Sequence, residues 1–293
     1  MTVSTTLTQD WHGEDVSIAE IEAELARLRA ESTGVGGGPQ QRTSVMTHVA
    51  WVPPEWLDAA ERTLAGLAER HPSRTVLLIP RPDDELDRVD ADLTMRCYPV
   101  AGQPVCGEVI ELHLLGDRSL APASLVLPLA ISDLPVFVRW RGEPDFRGTQ
   151  WRQLVDVADR VIVDSSEWGD LAYAELAQSF GDSAISDIAW ARTEPWRREL
   201  ARYWPGIREQ EIRIRGPRAE AALLHGWLNA RLERAIRPVE PAGELGVRLG
   251  SDDLRPPRAA ALTPSDLLSA ELDSFASDPI YEQAVLAAAG LVA

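Results

Sequence analysis

The segment Ala123–Pro144, ASLVLPLAISDLPVFVRWRGEP, constrains the fold more than any other stretch of the chain. Ala123–Leu129 reads as a short apolar helix, and Ser132-Asp133 marks a turn. From Pro135 to Trp140 apolar side chains fall on both faces: Val136, Val138 and Trp140 on one, Phe137 beside Arg139 on the other. A strand apolar on both faces must be covered on both, so it is predicted to lie inside an α/β sheet. The charged run Arg141-Gly142-Glu143-Pro144 then breaks the pattern. It is expected to form an exposed loop at a strand end, the edge where open α/β sheets place functional groups.

The flanking sequence supplies the remaining layers. Met1–Val16 shows no period and is expected to be disordered. Ser17-Ile18-Ala19-Glu20 has the form of a capping box, and Ile18, Ile21, Leu25 and Leu28 then make one helical stripe. The glycine-rich run Thr33–Gln41 cannot continue that helix, so it either packs on its own domain or serves as a loosely tethered, partner-binding arm. Thr43–Trp51, Pro54–Arg70 and Thr75–Ile79 read as strand, helix and strand. Beyond the acidic loop Pro80–Asp92, Leu93–Pro99 and Pro104–Leu115 read as antiparallel strands joined at Ala101-Gly102. Gly148–Val157 follows as a helix and Arg160–Asp164 as a buried strand.

From Glu167 the chain turns tryptophan-rich. Thr193-Glu194-Pro195 is expected to open a helix with Trp196, Leu200 and Tyr203/Trp204 on one face. Glu211–Arg215 alternates as a strand, and Pro217–Ile236 is a helix with Ala221, Leu224, Leu228 and Leu232 in line. A short strand near Leu245–Leu249 and helices opened by Thr263-Pro264 and Asp278-Pro279 complete the chain. The expected organisation is a disordered N-terminus, amphipathic helix and linker over 1–41, a mixed-sheet, Rossmann-like layered α/β domain over 42–166, and a smaller, tryptophan-rich α/β domain over 167–293.

Charge and composition exclude whole classes of function. A net charge of −17 opposes binding to the phosphate backbone of nucleic acid, so no nucleic-acid partner is expected. All basic side chains are arginine or histidine; without lysine there can be no Schiff-base, phosphate-loop or lysine general-base chemistry. No apolar run reaches the ~20 residues of a membrane helix, and the start Met1-Thr2-Val3-Ser4 has no leader-like pattern, which points to a cytoplasmic protein.

Few residues assemble into familiar chemistry. The five histidines make no HxxxH or HExxH spacing, and with two cysteines nine apart they form no zinc framework, so no metal site is expected. No dinucleotide, phosphate-loop or nucleophile-elbow motif occurs, and neither a cofactor nor a catalytic set is expected. Arg74, with Ser165 and Ser166, could line an anion site, although turn and capping roles explain the serines equally. If Ala101-Gly102 is a two-residue hairpin loop, Pro99 faces Pro104 and Cys97 faces Cys106, within disulfide reach; the alternative is two buried free thiols. Trp140-Arg141 pairs two residue types enriched at binding hot spots, either as an interface or as core.

Several blocks resemble one family in their order along the chain. Leu127-Pro128-Leu129, Asp133-Leu134-Pro135-Val136-Phe137 and Trp140-Arg141-Gly142-Glu143 are joined by His71-Pro72-Ser73-Arg74, Val105-Cys106-Gly107-Glu108, Ala158–Ser165, Asp187-Ile188-Ala189-Trp190, Pro195-Trp196-Arg197 and Ala222–Leu228. Across Thr43–Arg234 these resemble the glucose-6-phosphate dehydrogenase assembly proteins of the OpcA family, with Arg139 standing where relatives tend to carry a second tryptophan. The resemblance implies a non-catalytic regulatory subunit that binds and activates glucose-6-phosphate dehydrogenase; hot-spot residue types place its partner contacts at Trp140, Arg141, Gly142 and Glu143 or at Trp196 and Arg197. It also favours a thiol-dependent role for Cys97 and Cys106. The residues alone leave open a different class, a nucleotide or sugar-phosphate binding enzyme or sensor near Arg74, Arg141 and Ser165.

Overall fold

The structure, a computed structural model, describes residues 7–33, 44–67, 70–100, 103–255 and 262–291. Most of the expected linker therefore lies outside the described residues, as do Ala101 and Gly102. The elements in chain order are β1 (Leu7–Gly13), α1 (Ile18–Thr33), β2 (Met46–Trp51), α2 (Leu57–Ala65), β3 (Ser73–Arg81), β4 (Val89–Val100), β5 (Gln103–Leu115), α3 (Pro122–Leu129), β6 (Val136–Trp140), α4 (Thr149–Val157) and β7 (Arg160–Val163). They continue with α5 (Tyr173–Leu176), β8 (Ala184–Asp187), α6 (Ile188–Arg192), α7 (Glu194–Ala201), β9 (Ile212–Gly216), α8 (Arg218–Leu232), β10 (Glu240–Pro241), β11 (Gly246–Leu249), β12 (Asp252–Asp253), α9 (Pro264–Leu272) and α10 (Pro279–Ala288).

A mixed eight-stranded sheet runs β1-β4-β5-β3-β2-β6-β7-β8, and a four-stranded sheet runs β10-β9-β11-β12. The fold is α/β, and β6 is an inner strand, as its two apolar faces require. Strand β2 pairs parallel to β3 on one side and to β6 on the other. The connection from β2 runs to β3 on one side and that from β6 runs to β7 on the other, so the point where the strand order reverses lies between the carboxyl ends of β2 and β6. The chain divides into two compact units, 1–161 and 162–293.

In the first unit the capping box forms as expected: the Ser17 N–H donates to Glu20 Oε2 at 2.8 Å and the Glu20 N–H to Ser17 Oγ at 3.3 Å. Ile21, Leu25 and Leu28 are fully buried, and Arg29 forks onto Glu108 of β5 at 2.5 and 3.0 Å. Helix α1 is thus part of its own unit rather than a free arm. Leu7–Gly13, expected to be disordered, instead forms β1, antiparallel to β4 from Leu7↔Cys97 to Gly13↔Ala91. Its half-buried positions are Gln9, Trp11 and Gly13, so the period of two is present but only one of its inward residues is large and apolar.

The second unit packs α8 against the small sheet. Ala221, Leu224, Leu228 and Leu232 meet Ile212 and Ile214 of β9 and Val247 and Leu249 of β11 in one core. Gly226 lies against α10, where an added Cβ would fall 2.2 Å from the Ala284 carbonyl oxygen; only glycine permits that approach.

Candidate functional site

The loop after β6 begins in an aromatic stack. Register places Trp140 opposite Trp51, and their rings stack with centroids 5.0 Å apart and planes 19° from parallel. Trp151 of α4 meets Trp140 edge-on at 5.3 Å, and Phe146 meets Trp151 at 5.0 Å. The Arg141 N–H donates to the Trp51 carbonyl at 3.0 Å, and its guanidinium lies 4.9 Å from the Trp56 ring centre. Gly142 follows at φ +73°, where a Cβ would stand 3.0 Å from Trp56 Nε1. The expected exposure of the loop at Arg141 is therefore corrected, and of the two alternatives for Trp140-Arg141 burial matches core. Trp140 is 4 % exposed, Arg141 8 %, Gly142 is buried, and Glu143 alone of the four is exposed. Sequence reasoning missed Trp56, the platform on which Arg141 and Gly142 rest.

Below this stack β2 and β6 carry polar groups into the core. His48 is register partner to Phe137, and its Nε2 has no hydrogen-bond partner among the described residues. Burial, then the charges of Arg139 and His71, lowers its pKa to about 4, so it is neutral at pH 7. Arg139 is buried, with Nη1 donating to the Trp140 carbonyl.

Each residue of the expected anion site is engaged within its own unit. Arg74 donates to Glu108 at 2.8 Å, to Glu22 at 2.8 Å and to the Leu129 carbonyl at 2.7 Å. Burial raises the Glu108 pKa, but hydrogen bonds from Arg29 and the charge of Arg74 more than offset it, and the carboxyl titrates below its ordinary value. In the second unit, the Ser165 N–H donates to Asp187 Oδ1 at 3.0 Å, and both the N–H and hydroxyl of Ser166 donate to Asp164 Oδ1, at 3.2 and 2.6 Å. Side-chain carboxylates thus accept from both serines in this structure.

Arg192 closes that cluster with a fork onto Asp164 at 3.0 and 2.6 Å and a reach to Glu220 at 3.3 Å. Asp187, fully buried, also caps α6 through the Ala189 N–H at 2.8 Å. Its Oδ2 has no hydrogen-bond partner among the described residues, nor does the buried Tyr281 hydroxyl. Burial, then the neighbouring Asp164 charge, raises the Asp187 pKa to about 7.

The hairpin register matches its expectation residue for residue: Val100 pairs with Gln103, Pro99 with Pro104 and Cys97 with Cys106. Cys106 is disulfide-bonded, and the chain has one other cysteine, Cys97, whose side chain lies outside the described residues.

Helix α7 divides its expected contact residues. Trp196 is core, while the Arg197 guanidinium stacks 3.6 Å above the centre of the Trp190 ring and its Nε donates to Thr193 Oγ1 at 3.0 Å. Burial lowers the Arg197 pKa to about 10. Thr193 does not cap the helix through its side chain; its hydroxyl donates to the Trp190 carbonyl at 2.8 Å. Tyr203 and Trp204, expected on the buried face, are 38 % and 55 % exposed. Pro205 disfavours helical backbone at Trp204, so α7 ends at Ala201 and the next residues swing outward. Arg208 lies 5.6 Å from the Trp204 ring centre.

Residues 65–178 match the family described as glucose-6-phosphate dehydrogenase subunit N-terminal domain. The chain is 28 % identical over 186 residues to the OxPP cycle protein OpcA of Synechocystis sp., covering 57 % of this chain and 38 % of that protein. It is 27 % identical over 186 residues to the namesake in Nostoc punctiforme, covering 57 % and 39 %. To that of Synechococcus elongatus it is 23 % identical over 184 residues, covering 57 % and 41 %. The chain thus spans about two fifths of the length of the curated relatives it matches.

Proposed function

The chain belongs to the OpcA family, and from that membership we propose that it is a non-catalytic subunit which binds glucose-6-phosphate dehydrogenase and shifts it toward its active conformation. The observation that carries this reading is the match of residues 65–178 to a family described as a subunit domain of that enzyme. A protein without chemistry of its own can still change a rate, because a partner that binds one conformation of an enzyme preferentially populates it.

The contact surface we assign centres on Tyr203-Trp204. Tryptophan, tyrosine and arginine are the residue types enriched at binding hot spots, and here Tyr203, Trp204 and Arg208 occur together at the end of α7. Trp196 and Arg197 hold that helix in place from beneath, as Trp140, Arg141 and Gly142 hold the loop that offers Glu143. In this reading these residues, buried apart from the half-buried Arg197, support contacts instead of making them.

A kinetic titration tests the proposal. Glucose-6-phosphate dehydrogenase from the same organism, assayed with increasing amounts of this chain, is expected to gain turnover or substrate affinity to a saturable limit. The chain alone is expected to convert no sugar phosphate. Rates unchanged at saturating concentrations would reject the regulatory reading.

A further inference from the structure

The crevice at the carboxyl ends of β2 and β3 has a volume of about 580 Å³, within the ~300–1,000 Å³ of small-molecule sites. Trp51 places it at the carboxyl end of β2, which with its neighbour β6 forms the pair whose onward connections run to opposite sides, to β3 and to β7, where open α/β sheets bind ligands. Its walls are Trp51, Pro53 and Pro54 from the end of β2, and Pro80 and Pro82 from β3 and the turn after it.

The prolines decide the chemistry of the walls. None has an N–H, so the backbone at these positions presents only carbonyl oxygens. Two further donors are already used: the Asp84 N–H bonds to the Arg81 carbonyl at 3.2 Å, and the Ser119 hydroxyl to the Gly116 carbonyl at 2.9 Å. Of the charged side chains lining the crevice, Glu55, Asp83 and Asp84 are acids and Arg81 is the single base. Three carboxylates outweigh the Arg81 guanidinium and the Gln150 amide, so the lining is net acidic with apolar walls, which opposes phosphate and favours a donor-rich cation with an apolar stem.

We infer that this crevice is a binding site for a guanidinium or ammonium group on a short aliphatic stem, its head on Glu55 and Asp83 and its stem along Trp51 and the prolines. The group can come from a free amine metabolite or from a basic side chain presented by a protein. The inference does not depend on the identity of the enzyme partner.

Agmatine is the probe, followed by titration calorimetry on the full chain, with the end-blocked tripeptide Gly-Arg-Gly as a second ligand and glucose 6-phosphate as the contrasting one. Agmatine is expected to bind with a Kd of ~0.1–1 mM that weakens as salt is raised. The double variant Glu55→Gln, Asp83→Asn, both at exposed positions, is expected to weaken binding at least ~10-fold while its thermal melt stays that of the parent. Binding of both agmatine and the tripeptide supports the site and admits a protein-borne source; binding of agmatine alone supports it and restricts the source to a free metabolite. No saturable binding of either up to ~10 mM, agmatine binding unaltered in the double variant, or displacement of agmatine by glucose 6-phosphate would each overturn it.

Discussion

Trp140 stacks on Trp51 across the β6–β2 pair, with ring centroids 5.0 Å apart, and this contact ties the base of the loop at Gly142 to the centre of the sheet. Because both rings are buried and Trp151 meets Trp140 edge-on, truncation removes packing on two sides and leaves a cavity. Trp140→Ala is expected to lower unfolding stability by ~3–5 kcal/mol in denaturant titrations, and Trp140→Phe by clearly less. Equal losses for both would show that the stack contributes little.

Arg141 and Gly142 lean on Trp56, one through its guanidinium and the other through the absence of a Cβ. Gly142→Ala forces a side chain into a left-handed conformation and against the indole, at an expected ~1–2 kcal/mol. Arg141→Ala is expected to cost a comparable ~1–2 kcal/mol through lost stacking, and Trp56→Ala to cost less in that background than in the parent, since the two share one interaction while Trp56 keeps its other packing. Additive losses in this double-mutant cycle would separate Arg141 from Trp56.

How far these contacts could be read in advance depended on where the hydrophobic period was pure. The β6 strand was legible because Val136, Phe137 and Val138 leave no polar face, and the β4–β5 register because a two-residue loop fixes every pair beyond it. Strand β1 was hidden because Gln9 and Gly13 occupy inward positions. Helical spacing placed Trp204 inward, and the break imposed by Pro205 turned it outward. Arg141 read as exposed because its charge suggested solvent; the platform that buries it comes from Trp56, distant in sequence. Spacing cannot show an aromatic side chain arriving from another element.

The hairpin cysteines give a covalent prediction. Cys106 is disulfide-bonded and Cys97 is its register partner, so a thiol-alkylating reagent is expected to label neither cysteine until a reductant is added. A bond closing so short a loop restricts the unfolded chain modestly, and the reduced protein is expected to lose about 2 kcal/mol. Mass spectrometry that finds both thiols labelled without reductant would contradict the pairing.

Asp187 makes stability depend on pH in a direction opposite to that of an ordinary paired carboxylate. Its folded pKa, about 7, lies above the unfolded value near 3.8, so between these values the folded state holds the extra proton. Its stabilising contribution is complete below about pH 4 and is lost as pH rises toward 7. His48 acts in the opposite sense: its folded pKa, about 4, lies below its ordinary 6.5, and stability from its neutral form is lost as pH falls between them. Asp187→Asn keeps an oxygen for the Ser165 and Ala189 N–H groups and removes the titration. The stability of the variant relative to the parent is expected to rise by a few kcal/mol from pH 4 to pH 7.5. A difference independent of pH would show that Asp187 titrates normally.

Partnership of this chain with glucose-6-phosphate dehydrogenase, as proposed, is tested by sedimentation velocity on the two proteins mixed, with the parent chain and with Trp204→Ala. A faster-sedimenting complex is expected with the parent, and binding weakened by ~2 kcal/mol or more in a variant whose melting is unchanged, because Trp204 is 55 % exposed and leaves no cavity when truncated. Separate sedimentation of the parent chain and the enzyme at concentrations well above micromolar would contradict it.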